Sequence, residues 1–387
     1  MTVTGRETLR PGSVEEAVAA VRDSGGRSVL LRGAGTKLGW GAPVDAAVEL
    51  DTRGLDRLVA HNAGDMTAEV GAGMPLARLQ AELAEAGQWL ALDPPYGDQT
   101  VGGIMAAGDA GPRRLRYGTV RDLVIGSAYV LPDGTLSHSG SHVIKNVAGF
   151  DITRLLTGSL GTLGLIAQVI VRLHPLPAAS ATVRVRAGIA DASGLALALA
   201  ASPIEPSAVT WTSAGDGTML VRLEGPADGV EAAVPLTRNL AGGRGLDSKR
   251  VEGDDEGAAW AGIAAATAGP EDATVARAGV LQDQLPAAAE ALTRAASEHD
   301  AEASLVAELC VGVATATVTG GDPGAVVTAW REAVEGLGGT VSLRRAPSGV
   351  EIPAWGSPPS AVALMRRVKA QLDPDGRFGP GRFAPWF

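Results

Sequence analysis

Leu31-Arg32-Gly33-Ala34-Gly35-Thr36-Lys37-Leu38-Gly39-Trp40-Gly41 decides the reading of this chain. A glycine-punctuated loop here follows directly on an apolar run, residues 29–31, that reads as a buried strand. Consecutive N–H groups in such a turn form a concave nest for an anion, glycine lets a diphosphate approach with no Cβ in the way, and Lys37 adds charge. Two phosphate motifs are excluded. A Walker A loop needs Ser or Thr directly after its lysine, where Leu38 stands. The dinucleotide fingerprint needs its third glycine one residue before Gly39 and a helix behind it, where Trp40, Gly41 and Pro43 stand instead. The loop points to a diphosphate held outside those two folds.

Two more glycine clusters follow. Thr100, Val101, Gly102, Gly103 and Gly108 form the second, and residues 156–164, with Gly158, Gly161 and Gly164, form the third ahead of an apolar strand over 165–173. Three such loops between strands and helices suggest one extended ligand threaded between layers. The rival reading is that the last three glycines only permit tight packing.

Around these loops the chain reads as a mixture of helices and strands. Ser13 and Glu16 form a capping box for a helix to about residue 23, ended by Gly25 and Gly26. Strands are predicted over 47–50, 58–61 and 67–71, a helix from Pro75 to about Gly87, and a hairpin of 123–131 with 135–139 around Pro132-Asp133-Gly134. A short helix over 151–157 precedes the strand 165–173. From residue 178 strands alternate with alanine-rich helices: helices over 190–201, 230–240, 286–297 and 323–337, strands over 182–186, 208–211, 219–223, 274–280, 309–318 and 340–345. An acidic linker is read at 252–257. A sheet covered by helices on one face would bury both sets of apolar stripes. The expected fold class is α+β, with domains at 1–177 and 178–350, and a helix and tail at 351–387 returning to the first.

Composition narrows the function. The 387 residues carry a formal charge of −10 with no run of lysines or arginines, which excludes a phosphate-neutralising nucleic-acid surface. The single cysteine, Cys310, excludes an internal disulfide framework and a self-contained iron–sulfur cluster, which needs about four thiolates; its apolar run marks it as a core residue. No segment has the apolar length of a secretory signal or a membrane span, so the expected location is cytoplasmic.

The order of motifs now becomes informative: R-G-A-G-T at 32–36, T-V-G-G at 100–103, R-Y-G-T-V-R-D at 116–122, L-P-D-G at 131–134, K-N-V-A-G-F-D at 145–151 and G-S-L-G-T-L-G at 158–164. This order resembles the two-part, PCMH-type FAD-binding domain of the vanillyl-alcohol oxidase family. With G-P-R-R at 111–114, it is most similar within that family to the smaller FAD-binding subunit of bacterial glycolate oxidase. The resemblance covers residues 8–177 and returns at 372–382, where Gly379 replaces the asparagine usual in the family. It implies a smaller α+β cap domain and FAD as cofactor. Some relatives tether flavin through a histidine in the first loop; Ala34 to Lys37 stand there instead, so the implied binding is non-covalent. By resemblance, Gly33, Ala34, Gly35, Thr36, Lys37 and Leu38 hold the diphosphate. Thr100, Val101, Gly102, Gly103 and Gly108 line the dinucleotide, Tyr117 and Gly118 flank it, and Arg113 serves its phosphates or a partner surface. Gly161 and Gly164 also belong to the implied cofactor site, and Ile166 meets the adenosine end.

Flavin carries hydride chemistry, and the protein must add a base or a charged clamp for a hydroxy acid. The candidates are His138 on the hairpin, with a surface role as its alternative, and Arg344 with Arg345, which would clamp a carboxylate bidentately or sit at a solvated strand end. His299 is the only histidine after residue 178, which cannot build a histidine-rich metal cluster; no metal is expected. Three functions stay open. The resemblance implies an FAD subunit of a glycolate oxidase-like complex. There a larger flavoprotein subunit oxidises a small 2-hydroxy acid, an iron–sulfur subunit passes electrons on, and partners bring the assembly to the inner membrane. The others are a self-sufficient FAD oxidoreductase acting on a small alcohol or hydroxy acid, and a flavin-free scaffold.

Overall fold

Ser13 starts the first helix as its spacing predicts. Its hydroxyl accepts from Glu16 N, and Glu16 Oε2 accepts from Gly12 N, so Val14–Asp23 begins with two backbone donors satisfied. The helix buries Ala17 and Val21 and delivers the chain to strand Val29–Arg32. The computed structural model describes residues 6–142 and 149–387, so residues 145–148 of the K-N-V-A-G-F-D motif lie outside the described residues. Three parallel strands stand in the order Glu7–Leu9, Val48–Asp51, Val29–Arg32. Five antiparallel strands stand in the order Leu58–Asn62, Thr67–Gly71, Leu165–Arg172, Val124–Val130, Leu136–Gly140. Val29, Val48, Leu50, Leu165 and Phe378 share one core, and helices Leu76–Ala84 and Val101–Ala107 contribute to a second on the larger sheet. The Thr100–Gly103 cluster, read as a loop, is the cap and first turn of Val101–Ala107: Thr100 Oγ1 accepts from Gly103 N at 3.2 Å.

The second half of the chain is one antiparallel sheet of eight strands. Their order is Ser248–Val251, Ala179–Arg186, Thr218–Gly225, Ala208–Thr212, Glu302–Glu308, Val313–Thr319, Thr274–Gly279, Thr340–Arg345. Strand alternation sends Met219, Val221 and Leu223 to a face covered by helices Ile189–Ala200, Ala227–Gly242, Leu285–Glu298 and Pro323–Gly336.

Two expectations are corrected here. The acidic stretch 252–257 is no linker: it opens the helix Asp254–Ala268, whose Trp260 and Ile263 pack on the opposite face against Ala208, Leu220 and Val306. Three acidic residues in its first turn complement the positive helix end, which is why the composition mimicked a linker. The run 309–318 is no single strand either. Residues 309–312 form the turn between Glu302–Glu308 and Val313–Thr319, with Gly312 at φ +78°. Cys310 sits half-buried in that turn, where burial pushes its thiol up to about 11.

The last helix, Val362–Leu372, returns to the first sheet. Lys369 Nζ donates to Thr162 O at 2.7 Å and Phe378 O at 2.9 Å, while the Asp373 carboxylate accepts from Arg377 N and Phe378 N. Val29 N donates to Arg377 O, and Gly379 N donates to Val29 O. Phe378 is fully buried in this bridge. Phe378→Ala is expected to cost about 3–5 kcal/mol of stability, read as a lower denaturant midpoint for the unit that contains strand Val29–Arg32.

Candidate cofactor-binding site

Strand Val29–Arg32 carries the first glycine loop to a groove of about 90 Å³ that opens to solvent. Gly33, Ala34, Gly35, Thr36, Lys37 and Leu38 form one wall; Thr100, Gly102 and Gly103 form the second; Leu160, Gly161, Gly164 and Ile166 form the third. The structure therefore brings the three clusters to one place. Close approach explains the glycines. A Cβ on Gly102 would lie 2.5 Å from Ala72 Cβ, and Gly35 has φ +82° with the Arg32 side chain 3.0 Å from where its Cβ would be. Leu160, held at φ +51°, donates its N–H to Ala106 O at 2.7 Å and so pins the third loop to the helix of the second.

Sequence reasoning missed the groove's two guanidinium groups. Arg382 Nη1 donates to Leu38 O, Trp40 O and Ala42 O at 2.8, 3.0 and 3.2 Å, and burial pushes its ionisation down to about 10. Arg32 Nη1 pairs with Glu49 at 3.0 Å. In both, the buried Nε has no hydrogen-bond partner among the described residues. Thr52, Ala106 and Ala107, also in the lining, lie outside the motifs. Arg32 was legible from its place at the head of the first motif; the resemblance at 372–382 brought the tail back to the first domain without naming the loop that Arg382 holds.

Other sequence candidates lie elsewhere. Val101 is fully buried in the core, and Gly108 ends its helix at φ +61° against Gly158, so neither lines the groove. Tyr117 packs edge-on against Trp89 and His174, and a Cβ on Gly118 would meet Asp122. Arg113 is committed to the facing sheet: Nη2 reaches Glu224 Oε1 at 2.6 Å and its guanidinium lies 4.9 Å from the Trp89 ring. Burial pushes the Glu224 carboxyl up, but hydrogen bonds and charge from Arg113, with Arg222, outweigh it and hold the group below its ordinary range. His138 is exposed on the edge strand Leu136–Gly140 and lines neither cavity described here. The Arg344 and Arg345 pair does not form a clamp. Arg345 donates to the carbonyls of Ala268, Pro270 and Ala273, whereas the guanidinium of Arg344 lies 3.9 Å from the Trp40 ring. The register irregularity in the pairing of Thr274–Gly279 with Thr340–Arg345 accompanies this divergence, since a bulge re-aims the side chains beside it.

Lys37 connects the groove to the second sheet. Its Nζ donates to Gln99 Oε1, lies 3.4 Å from Asp109 Oδ2, and sits over the rings of Trp40 and Tyr96. Burial pulls its ionisation down, partly offset by Asp109. On the far side of Asp109, Arg277 Nη1 stands 3.6 Å from Oδ1. Beyond Arg277 lies an inter-domain cavity of about 230 Å³ lined by Asp93, Arg113, Arg222, Trp260, Arg277 and Glu308, among others.

The groove, its glycine walls and its paired guanidiniums define a nucleotide-binding domain, and comparison with known proteins specifies which. Residues 7–140 match the family described as FAD binding domain. That match indicates FAD as the cofactor of this part of the chain. The glycolate oxidase subunit GlcE of Escherichia coli (strain K12) is 33% identical over 232 residues, which cover 59% of this chain and 63% of that protein. A D-lactate dehydrogenase of Archaeoglobus fulgidus is 35% identical over 170 residues, covering 43% of this chain and 38% of its own length. The chain thus spans less than two thirds of either relative. In fold it is similar to a solved alkyldihydroxyacetonephosphate synthase, with a TM-score of 0.74 at 15% identity over 96% of this chain and 76% of the other. Among the described residues no helix is long and apolar enough to cross a membrane.

Asp93 supplies a test of the inter-domain geometry. Burial raises its carboxyl to about 7, against the opposing pull of Arg113 and its backbone N–H. An acid raised from 3.8 in this way favours folding fully below its unfolded value, and that contribution is lost as pH rises through about 7. The wild type is therefore expected to lose Tm between about pH 4 and pH 7, and Asp93→Asn to flatten that decline, measured by thermal denaturation in matched buffers.

Proposed function

We propose that the groove is the seat of FAD and that the chain is the flavin-bearing subunit of an assembly oxidising a small 2-hydroxy acid, of the glycolate oxidase kind. One observation carries the placement of FAD: Arg32 Nε and Arg382 Nε are buried donors without partners, in a groove whose glycines expose backbone N–H groups. A diphosphate, negatively charged and rich in acceptor oxygens, fits that donor set. FAD supplies the acceptor for the hydride of an alcohol carbon. The chain's own residues do the rest. Residues 33–38 and the two arginines bind the diphosphate, Thr100 holds the second wall in place through its hydrogen bond to Gly103, and Lys37 stands where the groove meets the second sheet.

The reading of substrate and assembly draws on the relatives, a glycolate oxidase subunit and a D-lactate dehydrogenase. Within such an assembly the partners would be a larger flavoprotein and an iron–sulfur subunit, with electrons leaving this chain through its flavin. A formed groove with unsatisfied donors argues against a flavin-free scaffold.

Ala107, on the groove wall, is the position for a test because it is neither a glycine in a special conformation nor part of the core. Ala107→Phe is expected to lower flavin occupancy of the purified protein at least tenfold, read from the ratio of flavin to protein absorbance, with an unchanged circular dichroism spectrum. Full occupancy in that variant would mean that FAD lies elsewhere.

A further inference from the structure

The inter-domain cavity is built from the sheet face that does not meet the four-helix layer. Arg222, Val306, Glu308, Arg277 and Thr315 all project from that face, with Arg277 and Val306 both paired in register with Thr315. Helix Asp254–Ala268 covers one side with Trp260 and Ile263, and the first half of the chain closes the other with Asp93 and Pro95.

Its polar groups are incompletely matched. Glu308 is 6% exposed; its Oε1 takes Arg114 Nη2 at 2.7 Å and Arg277 Nη2 at 3.4 Å, while Oε2 has no hydrogen-bond partner among the described residues. Arg277 Nε has none either. Arg222 Nε lies 3.2 Å from Glu224 and 3.3 Å from Glu256 as an ion pair without hydrogen-bond geometry, and its guanidinium stands 5.2 Å from the Trp260 ring. Buried donors and a buried acceptor left open in one cavity carry a desolvation cost that a ligand of matching pattern would remove.

We infer that this cavity is a binding site, on this chain itself, for a 2-hydroxy carboxylate with an apolar side chain. The carboxylate would take the guanidiniums of Arg222 and Arg277, the hydroxyl would donate to Glu308 Oε2, and the side chain would lie against Trp260, Ile263 and Val306. The space favours this class over glycolate. About 230 Å³ is many times the roughly 10–15 Å³ that one water needs by the same measure, and a two-carbon acid would leave the apolar wall unfilled. The inference rests on the flavin reading of the groove only for its consequence: Lys37, Asp109 and Arg277 join the two spaces, so a ligand here would be next to whatever the groove holds.

Titration calorimetry of the purified full chain, with flavin absorbance recorded on the same sample, tests this. We expect 2-hydroxy-4-methylpentanoate to bind at least tenfold more tightly than 4-methylpentanoate, which lacks the hydroxyl, and than glycolate, which lacks the side chain. Arg222→Met should weaken it at least tenfold. Ala264→Trp, which fills the cavity from the helix and removes no charge, should do the same. Equal affinity for the hydroxy acid and its deoxy analogue, no heat with either, or undiminished binding in both variants would overturn the proposal while a retained flavin band left the groove assignment standing. Wild-type protein without flavin would defeat the groove assignment instead, and the titration would still read the cavity.

Discussion

The grip of Arg382 on three carbonyl oxygens of the first loop is the constraint on which the cofactor site depends. Leu38, Trp40 and Ala42 offer these carbonyls from a loop rich in glycine, which has little reason to hold one shape unaided. All three bonds come from one nitrogen of the guanidinium, Nη1, so a single charged donor gathers the three carbonyls around itself. Gly41 shows how tight the arrangement is: a Cβ there would lie 2.8 Å from Arg382 Cδ and 2.9 Å from the Trp355 ring. The loop is shaped from the other end of the chain. Closing so long a separation costs only slightly more entropy than closing a shorter one, because the cost grows with the logarithm of loop length. The bridge from Val29 to Arg377 and Gly379, with Phe378 buried beneath it, supplies the burial that offsets that cost.

That dependence also explains what was legible in the sequence. The capping residues Ser13 and Glu16, the hairpin around Pro132 to Gly134 and the helix capped by Asp151 are local chemistry, visible within a few residues. The three glycine clusters were legible as a set because each marks a close approach of backbone to something else. The second partners were not. Arg382 acts more than three hundred residues from the loop it holds, and Arg113 is drawn away from the groove by Glu224 on a strand of the facing sheet. Helix Asp254–Ala268 was hidden for a different reason: acids and glycine at its start are as good for a solvated linker as for a helix terminus, and only packing of Trp260 and Ile263 decides between them.

The face between the two halves of the molecule is the least expected feature. Strand alternation supplies one apolar face to the eight-stranded sheet, and the opposite face carries Arg222, Glu224, Arg277, Glu308 and Arg344. These meet Asp109, Arg113 and Arg114 from the first half, with Lys37 and Asp93 paired to Asp109 and Arg113 behind them. Arg114 to Glu308 and Arg113 to Glu224 are short contacts, and Arg116 adds a hydrogen bond to the Glu224 carbonyl at 2.8 Å, so the two halves are registered by ionic and polar contacts as well as by packing.

Stability alone does not account for such a layer. Removing charges from water costs several kcal/mol per ion before pairing returns anything, and well-packed apolar residues often hold an interface as well or better. An ion-rich layer that paired completely would be explained by register between the halves. This one does not pair completely: the guanidinium of Arg344 has no carboxylate within ion-pair distance among the described residues, and atoms of Arg277 and Glu308 remain open. Burial, with Arg277 nearby, depresses the ionisation of Arg344, the direction expected where positive charge is held without a full counter-charge. Excess cationic character at a boundary that adjoins a nucleotide groove is an arrangement suited to an anion arriving from outside. On this view the cost of the layer is offset when that anion binds, and the polar interior between the sheets is a feature of function rather than of folding.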